Sequence, residues 1–533
     1  MFFYPRSQDR PFHHGPYPLE SLARDETVID REANAPALAA PPSEKPSDDL
    51  VGALGHYKAI FSAFTTGETA PAKAPLPDDL MRRAQDVKGG AYFMNADTVG
   101  ICKIPENAWY SDGEKFPHDH ALVILVAAPR QIEKENLAHG WTEKARGKIP
   151  ELRAAEIALT LAGHIATMGF SAQAHYAGTG HVDMHRLAVL AGLVVRQDET
   201  LEAPFIGTEF ALSVVTTDYE ISTDVPLASD AINTRGLAYW WGINGAVSGR
   251  ERNAKAKRPT HLGRYPMETV KRVERPTTLI LDDEIPRVPK RAAFFQRALH
   301  GDLGDKAKKE RTRFSFKTPF SHSLLNVIRS MVPHQDGDVG ELDEKAFGTP
   351  KENTEAIKSL AHALGADLAG ICEVPRYAWF SHKEDGTEIP MYHRYAVVML
   401  IDQGFETMEG ASGDDWASGA QSMRAYLRGA EIAGVMAEFL RRKGVSARPQ
   451  TNADSDVLQI PLILWAGLGE LSRIGELVLN PFVGPRLKSV VMTTDLPLEV
   501  DKPIEFGLQY FCSNCLKCAR ECPCDAIPFG DKV

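Results

Sequence analysis

The sequence lacks the features that would carry a chain into or across a membrane. It has no uncharged apolar run near the ~18 residues that a membrane helix requires. Its first residues, MFFYPRSQDRPFHHGPYPLE, contain neither a basic patch followed by an apolar segment nor a twin-arginine pair. We therefore expect no membrane association and a cytoplasmic location.

The chain also lacks an excess of basic charge. Its formal net charge is −11, whereas proteins that bind nucleic acids in general need a basic surface to displace counterions from phosphate. We therefore expect no nucleic-acid partner, and favour a small molecule or a protein. The 533 residues, 43% hydrophobic and 25% charged, predict roughly two to four domains with a large core.

Cysteine is scarce, with seven residues in the whole chain. Outside the last two dozen residues only Cys102 and Cys372 occur, so a disulfide framework is not expected. These two cysteines occupy matching positions in two similar segments, and we interpret them as small buried hydrophobic residues. The other five thiols are clustered, which in a reducing compartment favours a metal site.

The chain contains two copies of one unit of about 130 residues, a normal domain size. Three pairs of segments match in the same order, with offsets that drift only from 270 to 277: 100–111 with 370–381, 153–169 with 428–444, and 204–218 with 481–495. Within each copy, DHALVILVAA or YAVVMLID predicts a buried strand, and the RxAEIA segment predicts an amphipathic helix. The unit is therefore predicted to mix α and β structure.

The C-terminal cysteines carry the most specific motif. Cys512, Cys515, Cys518 and Cys522, followed by proline, have the C-x2-C-x2-C-x3-C-P spacing of bacterial ferredoxins. In that spacing the first three thiolates hold one [4Fe–4S] cluster and the fourth reaches a second cluster. A zinc ribbon would instead need two C-x2-C pairs separated by roughly 15–20 residues.

The number of thiols is too small for two such clusters. Two cubes need eight thiolates, and the tail offers at most five, counting Cys524. We therefore expect either that the sequence stops before a second cysteine motif or that another chain supplies the missing ligands.

Residues 466–523, AGLGELSRIGELVLNPFVGPRLKSVVMTTDLPLEVDKPIEFGLQYFCSNCLKCARECP, resemble the core of reductive dehalogenases, the corrinoid and iron–sulfur enzymes that remove halogen from organohalides. The resemblance is specific over about residues 360–523 and fainter in the first copy. It implies nitroreductase-like cobalamin-binding lobes, cobalamin held base-off, and two [4Fe–4S] clusters, the second incomplete in this chain. It further implies an organohalide substrate, with electrons from a redox partner or a fused reductase domain. Without an export signal, the chain is similar to the cytoplasmic, catabolic branch.

The expected fold class is α+β, with duplicated nitroreductase-like lobes followed by a ferredoxin-like iron–sulfur segment. The expected organisation is an extended N-terminal arm (1–85), a degenerate first copy (86–230), an insert (231–345), a cobalamin-binding catalytic lobe (346–505) and the start of a ferredoxin-like domain, apparently truncated (506–533).

The family pattern places a tyrosine above the corrin as proton donor, beside a basic residue, and Tyr426 and Lys488 fit it. A phenol of pKa ~10 is a weak acid unless a nearby cation stabilises its phenolate. In the first copy, Glu151 and Ala211 stand opposite these two residues, so the scaffold matches while the polar residues differ. Ser422 precedes Tyr426 by four residues, and helical spacing predicts that it lines the same pocket.

An aromatic stretch in the insert, with Tyr239, Trp240 and Trp241, is expected to wall a pocket for a halogenated aromatic such as a phenol. Two alternatives to a dehalogenase stay open on the sequence. One is a corrinoid enzyme similar to epoxyqueuosine reductase, although that family typically has a carboxylate where this chain has Tyr426. The other is a non-catalytic iron–sulfur or corrinoid protein that carries electrons or delivers the cofactor.

Overall fold

The computed structural model describes residues 9–42, 47–198, 200–234, 236–311, 313, 318–411 and 416–530. It combines helices and β-sheets throughout, which confirms the mixed α and β composition predicted from the sequence. In these ranges, no helix combines the length and the apolar character needed to cross a membrane.

The first copy is built on an antiparallel sheet with the strand order β1-β2-β6-β3. Its strands, with a small β4–β5 hairpin, are β1 (Thr98–Lys103), β2 (His120–Ala127), β3 (Ala172–Tyr176), β4 (Val195–Gln197), β5 (Thr200–Glu202) and β6 (Phe210–Thr217). Both faces of β2 are covered, because residues 121–125 are fully buried. This explains why the strand is a continuous apolar run instead of an alternating pattern.

The second copy contains a sheet with the corresponding order, β8-β9-β13-β10. The remaining strands are β7 (Lys271–Arg272), β8 (Leu368–Glu373), β9 (Tyr395–Asp402), β10 (Ala447–Gln450), β11 (Glu470–Leu471), β12 (Val478–Leu479), β13 (Leu487–Thr494) and β14 (Ile504–Glu505). The predicted strands of the repeated motifs are therefore found as β2 and β6 in one sheet and as β9 and β13 in the other.

The helices surround these two sheets. They are α1 (Thr27–Asn34), α2 (Leu50–Ile60), α3 (Leu80–Phe93), α4 (Ala138–Thr142), α5 (Lys148–Thr167), α6 (Met184–Leu190), α7 (Leu237–Trp241), α8 (Gly249–Ala256), α9 (Phe294–His300), α10 (Asp305–Glu310), α11 (Pro319–Met331), α12 (Pro350–Leu364), α13 (Phe405–Glu409), α14 (Trp416–Arg442), α15 (Gln459–Trp465), α16 (Leu508–Cys515) and α17 (Lys517–Arg520). The long helices α5 and α14 pack against the first and second sheet, respectively.

Two predicted segments differ from the structure. The expected extended arm contains α1 and α2, and α2 packs against both α5 and α14, with Tyr57 only 1% exposed. Helix α3 crosses the boundary expected between residues 85 and 86. The expected insert likewise ends in α11, which packs on both long helices. Burial against partners distant in the sequence stabilises these helices, and local composition alone does not reveal it.

The two long helices meet through a buried cluster of charged side chains. Arg153 Nη1 donates to Glu156 Oε2 at 2.5 Å on α5, and Arg428 Nη1 donates to Glu431 Oε1 at the same distance on α14. Arg428 Nη1 also lies 3.6 Å from Glu156 Oε2, which links the helices directly. Each arginine donates a second bond to a backbone carbonyl at the end of a preceding helix or turn, Met94 or Leu364.

The two glutamates of this cluster titrate in opposite directions. Burial and the neighbouring Glu156 carboxylate raise the pKa of Glu431 well above its usual range. Burial also opposes ionisation of Glu156, but the guanidinium groups of Arg153 and Arg428 hold its pKa below the ordinary value. These opposite directions favour an ionised Glu156 beside a Glu431 that takes up a proton more readily.

Replacing Glu156 by Gln should destabilise the protein far more than replacing Glu431 by Gln. The first change leaves two buried arginines without their carboxylate, and breaking a buried ion pair typically costs about 3–5 kcal/mol. The second keeps an acceptor for Arg428 and a donor for Glu156, so the loss should stay below about 1 kcal/mol. Urea unfolding followed by circular dichroism measures both, and equal losses would show that the proton is not held by Glu431.

Candidate active site

Tyr426 and Lys488, the two residues predicted to carry the chemistry, lie beside each other in the second lobe. Tyr426 is half-buried on α14, and Lys488 is half-buried on β13, where it pairs with Ile401 of β9. The Lys488 Nζ lies 5.1 Å from the centre of the Tyr426 ring. At this distance the ammonium group interacts favourably with the aromatic face.

A glycine on the helix allows this approach. A Cβ added to Gly429, one turn after Tyr426, would come within 2.9 Å of the Val490 Cβ on β13. Without a side chain at this position the helix can lie close to the strand. Tyr426 lies one helical turn before Gly429, and Lys488 lies two positions before Val490 on the strand. The close approach of helix and strand therefore brings Tyr426 and Lys488 together.

Both side chains line a cavity of about 520 Å³. Its apolar walls come from Leu325, Met423, Ile460, Ile463 and Val478, and its polar lining includes Arg329, Asn452, Gln459, Glu476 and Ser489. The volume falls in the range of sites for small molecules. Among its described lining residues there is no histidine.

The polar groups around the cavity differ in how they are held. Ser489 Oγ donates to Gln459 Oε1 at 2.7 Å, and Gln459 Nε2 donates to the Gln450 carbonyl at 2.9 Å, so the Gln459 amide is fixed at both ends. By contrast, Lys488 forms no ion pair with another described residue. An unpaired ammonium group at a cavity wall is available to stabilise an anion inside it.

Gln459 and Ser489 were not among the residues singled out from the sequence. The signal that identified Tyr426 would also have found them, because Met184 and Leu212 stand opposite them in the first copy. At both positions a polar residue of the second copy stands opposite an apolar residue of the first.

Ser422 does not line the cavity, although helical spacing predicted that it would. It lies one turn before Tyr426 on α14, but its hydroxyl accepts a hydrogen bond from Gln403 Nε2 at 3.3 Å. Residues four positions apart lie on one side of a helix but diverge by about 40°. That divergence directs Ser422 towards the loop after β9 instead of the cavity.

The aromatic stretch of the insert also lies away from this cavity. The Tyr239 ring packs at a tilt of 40° on Phe205 of the first lobe, with the ring centres 5.3 Å apart, and Trp241 is 60% exposed beneath Arg250. Neither they nor Trp240 lines the cavity beside Tyr426. That they wall a substrate pocket therefore finds no support at the cavity of Tyr426 and stays a prediction.

The cysteine segment is tied to the second lobe. The Arg473 guanidinium donates to the carbonyls of Cys512, Pro528 and Gly530 at 2.7–3.3 Å, and so holds both ends of the segment. Between α16 and α17, Leu516 adopts a left-handed conformation with φ 51°, which reverses the chain inside the motif. Cys515 ends α16 and Cys518 lies on α17, so the two cysteines stand on opposite sides of this turn.

The thiols of the segment have the chemistry that an iron–sulfur cluster needs. Backbone N–H groups of Cys524 and Ala526 point to the Cys522 sulfur and lower the pKa of that thiol. In the described ranges no three ligating side chains converge on one point, so the segment would have to close around a cluster.

Cys102 and Cys372 are interior residues, as predicted. They are 4% and 3% exposed, and each thiol lies 3.6 Å from a backbone carbonyl, of Leu187 and Leu462 respectively. Burial raises the pKa of both thiols above the usual range. Thiols held protonated in the two lobe cores cannot supply ligands to a cluster at the C-terminal segment.

Comparison with solved structures shows close relatives over nearly the whole chain. The catabolic reductive dehalogenase NpRdhA, solved in complex with 3-bromo-4-hydroxybenzoic acid, matches with a TM-score of 0.91 and 48% identity, covering 99% of this chain and 76% of that one. A further structure, described as suggesting a mechanism for B12-dependent dehalogenation, matches with a TM-score of 0.89 and 47% identity over the same shares.

Curated sequences match over a shorter stretch. Tetrachloroethene reductive dehalogenase of Dehalobacter restrictus is 31% identical over an alignment of 222 positions that covers 34% of this chain and 39% of that protein. The matched part of the chain thus spans about two fifths of that relative. No protein-family profile matches the chain. With 48% identity across three quarters of a solved member, the chain belongs to the reductive dehalogenase family.

Proposed function

We propose that the protein removes halogen reductively from a halogenated hydroxylated aromatic compound. The observation that carries this proposal is the pairing of Tyr426 with Lys488 at the wall of a cavity in the second lobe. The substrate class rests on the relative solved with 3-bromo-4-hydroxybenzoic acid. An anionic phenolate or carboxylate would be attracted by the Lys488 ammonium group, which has no ion-pair partner among the described residues.

The proposed reaction replaces a carbon–halogen bond by a carbon–hydrogen bond. It consumes two electrons and one proton and releases halide. Bound cobalamin would supply the reducing chemistry at the carbon–halogen bond. We propose that it lies base-off against the cavity of Tyr426, in a nitroreductase-like lobe. The apolar walls suit a corrin, and the absence of histidine among the described lining residues agrees with a base-off form without a histidine ligand.

In this proposal Tyr426 provides the proton. Its hydroxyl makes no hydrogen bond to another described residue, so the proton is free to be donated into the cavity. Lys488 stabilises the phenolate that Tyr426 becomes, because its charge lies 5.1 Å from the ring. The hydrogen-bonded pair of Gln459 and Ser489 keeps the neighbouring wall in one arrangement.

The C-terminal segment would bring in the electrons as a ferredoxin-like unit. We propose that Cys512, Cys515 and Cys518 hold one [4Fe–4S] cluster and that Cys522 belongs to a second. A separate redox partner or a reductase domain would supply these electrons. The cytoplasmic location remains a prediction from the sequence.

Replacing Tyr426 by Phe should lower halide release by about 10²–10⁴-fold, the usual contribution of a positioned acid. The change keeps the ring that packs in the cavity and removes only the hydroxyl, so the bound corrinoid should remain. Halide release from 3-bromo-4-hydroxybenzoate under a strong reductant measures it. Tyr395→Phe, a half-buried tyrosine on β9 outside the cavity, is the control. Near-full activity of the Tyr426 variant would show that the proton comes from elsewhere.

Replacing Lys488 by Met should cause a loss of similar order, because the charge that stabilises the phenolate is removed while the length of the side chain is kept. The double variant should lose much less than the product of the two single losses, since groups that serve one proton transfer act as a unit. Lys502→Met, an exposed lysine paired with Glu274, is the matched control. Multiplicative losses would mean that the two residues serve separate steps.

Replacing Cys515 by Ala should remove about four iron atoms per chain after anaerobic reconstitution, the content of one cube. Cys524→Ala, in the same segment but outside the C-x2-C-x2-C-x3-C spacing, should keep the iron content of the unchanged protein. Iron and acid-labile sulfide analyses measure both. Equal iron in the two variants would refute the assignment of Cys515 as a ligand.

A further inference from the structure

A second cavity in the first lobe shares wall positions with the cavity of Tyr426. It has a volume of about 610 Å³ and lies between α2 and the turn that follows β3. Its wall residues Met184 and His185 correspond to Gln459 and Ile460, because both pairs follow an equivalent bridge, formed by Val182 in one copy and Val457 in the other. The duplication has therefore produced two related cavities.

The first-lobe cavity lacks the groups proposed for catalysis. Glu151 stands where Tyr426 stands in the second lobe, and its carboxylate accepts bonds from Lys58 at 2.9 Å and from Lys148 at 2.8 Å. The counterpart of Lys488 is Ala211. This cavity can bind a molecule, but it has neither the acid nor the cation that a proton transfer like that proposed for Tyr426 requires.

The charged residues of its lining are basic. Although the chain carries a net charge of −11, none of the described residues that line this cavity is acidic. Its polar and charged residues include His56, Lys58, Tyr110, Tyr176, His185 and Arg442. Burial raises the pKa of Tyr110 and of Tyr176 to about 12, so both hydroxyls stay protonated at neutral pH.

The turn after β3 adds backbone donors to this set. Gly178 and Gly180 have φ of 103° and 68°, and neither N–H has an acceptor among the described residues. Backbone N–H groups without an acceptor in a turn of this kind can donate to an anion. The two tyrosine rings and Val182 give the same cavity apolar surface on which a flat ring can pack.

We propose that this cavity binds a small aromatic anion, a benzoate or a phenolate, without converting it. Basic groups and backbone donors would hold the negative group, and the tyrosines would pack against the ring. The site is separate from the cavity of Tyr426, and only the choice of hydroxybenzoate as probe rests on the proposed function.

The test is the binding of 4-hydroxybenzoate, which has no halogen to lose, to the reconstituted full chain by isothermal titration calorimetry. The Lys488→Met variant, weakened at the proposed active site, should still bind one molecule. Adding Gly55→Leu should weaken this binding at least about tenfold. A Cβ at Gly55 on α2 meets no atom within 4 Å, so the leucine would extend into the cavity without displacing the helix.

Gly140→Leu is the matched control, a helical glycine with equally open surroundings that borders neither cavity. Lys58→Met is an independent variant that should also weaken binding about tenfold, through loss of a charged donor. It leaves Glu151 its bond from Lys148. Unchanged affinity in both the Gly55 and Lys58 variants would overturn the proposal, while weakening in Lys58→Met alone would support it if Gly55→Leu failed to fold.

Two further ligands test the chemistry of the site. The uncharged 4-hydroxybenzyl alcohol should bind at least about tenfold more weakly than 4-hydroxybenzoate, and equal affinity would overturn the anionic part of the proposal. Inorganic phosphate should not displace the probe at equal concentration, and displacement would overturn the aromatic part. Because halide release is not measured, failure of the proposed dehalogenase reaction would leave these binding results unaffected.

Discussion

The buried ion pair between Arg428 on α14 and Glu156 on α5 is the interaction on which the arrangement of the two lobes depends. Two ionised carboxylates in contact would repel each other in the interior, whereas two protonated ones would leave Arg153 and Arg428 buried without a counter-charge. Each helix contributes one arginine and one glutamate to the cluster, and Arg428 Nη1 lies 3.6 Å from Glu156 Oε2 on the other helix. The cluster thus determines which residues of α5 and α14 face each other. The relative positions of the other side chains on the two helices follow from this alignment.

The fold was predictable to the extent that its signals are local. The apolar runs of the repeated motifs gave the strands β2 and β9 almost to the residue, because both faces of these strands are buried. Helix α2 was missed because its stability comes from two helices distant in the sequence, and no local pattern reports such contacts. The buried network of charged residues in the RxAEIA motifs was not predicted either. Hydrophobic periodicity identifies the buried face of a helix, but it does not show which charged groups meet across that face.

The candidate site could be predicted in part for the same physical reason. Comparison of the two copies singled out Tyr426 and Lys488, and the structure brings them together at one cavity. Ser422 was assigned to the same pocket by helical spacing, and the direction of its side chain depends on a bond to Gln403 that spacing cannot show. The cysteine motif has a specific spacing, but spacing does not determine how the turn at Leu516 arranges the sulfur atoms.

The two copies differ by one methyl group at the point where helix and strand are closest. The first lobe has Ala154 at the position of Gly429, and there Ser213 on β6 donates to the Ala154 carbonyl at 2.7 Å. In the second lobe the methyl group is absent and Val490 fills the space instead. The distance between the Tyr426 phenol and the Lys488 ammonium group therefore depends on Gly429, a residue without a side chain. A survey of natural variants that considered only reactive side chains would overlook a position that controls how closely these two groups approach.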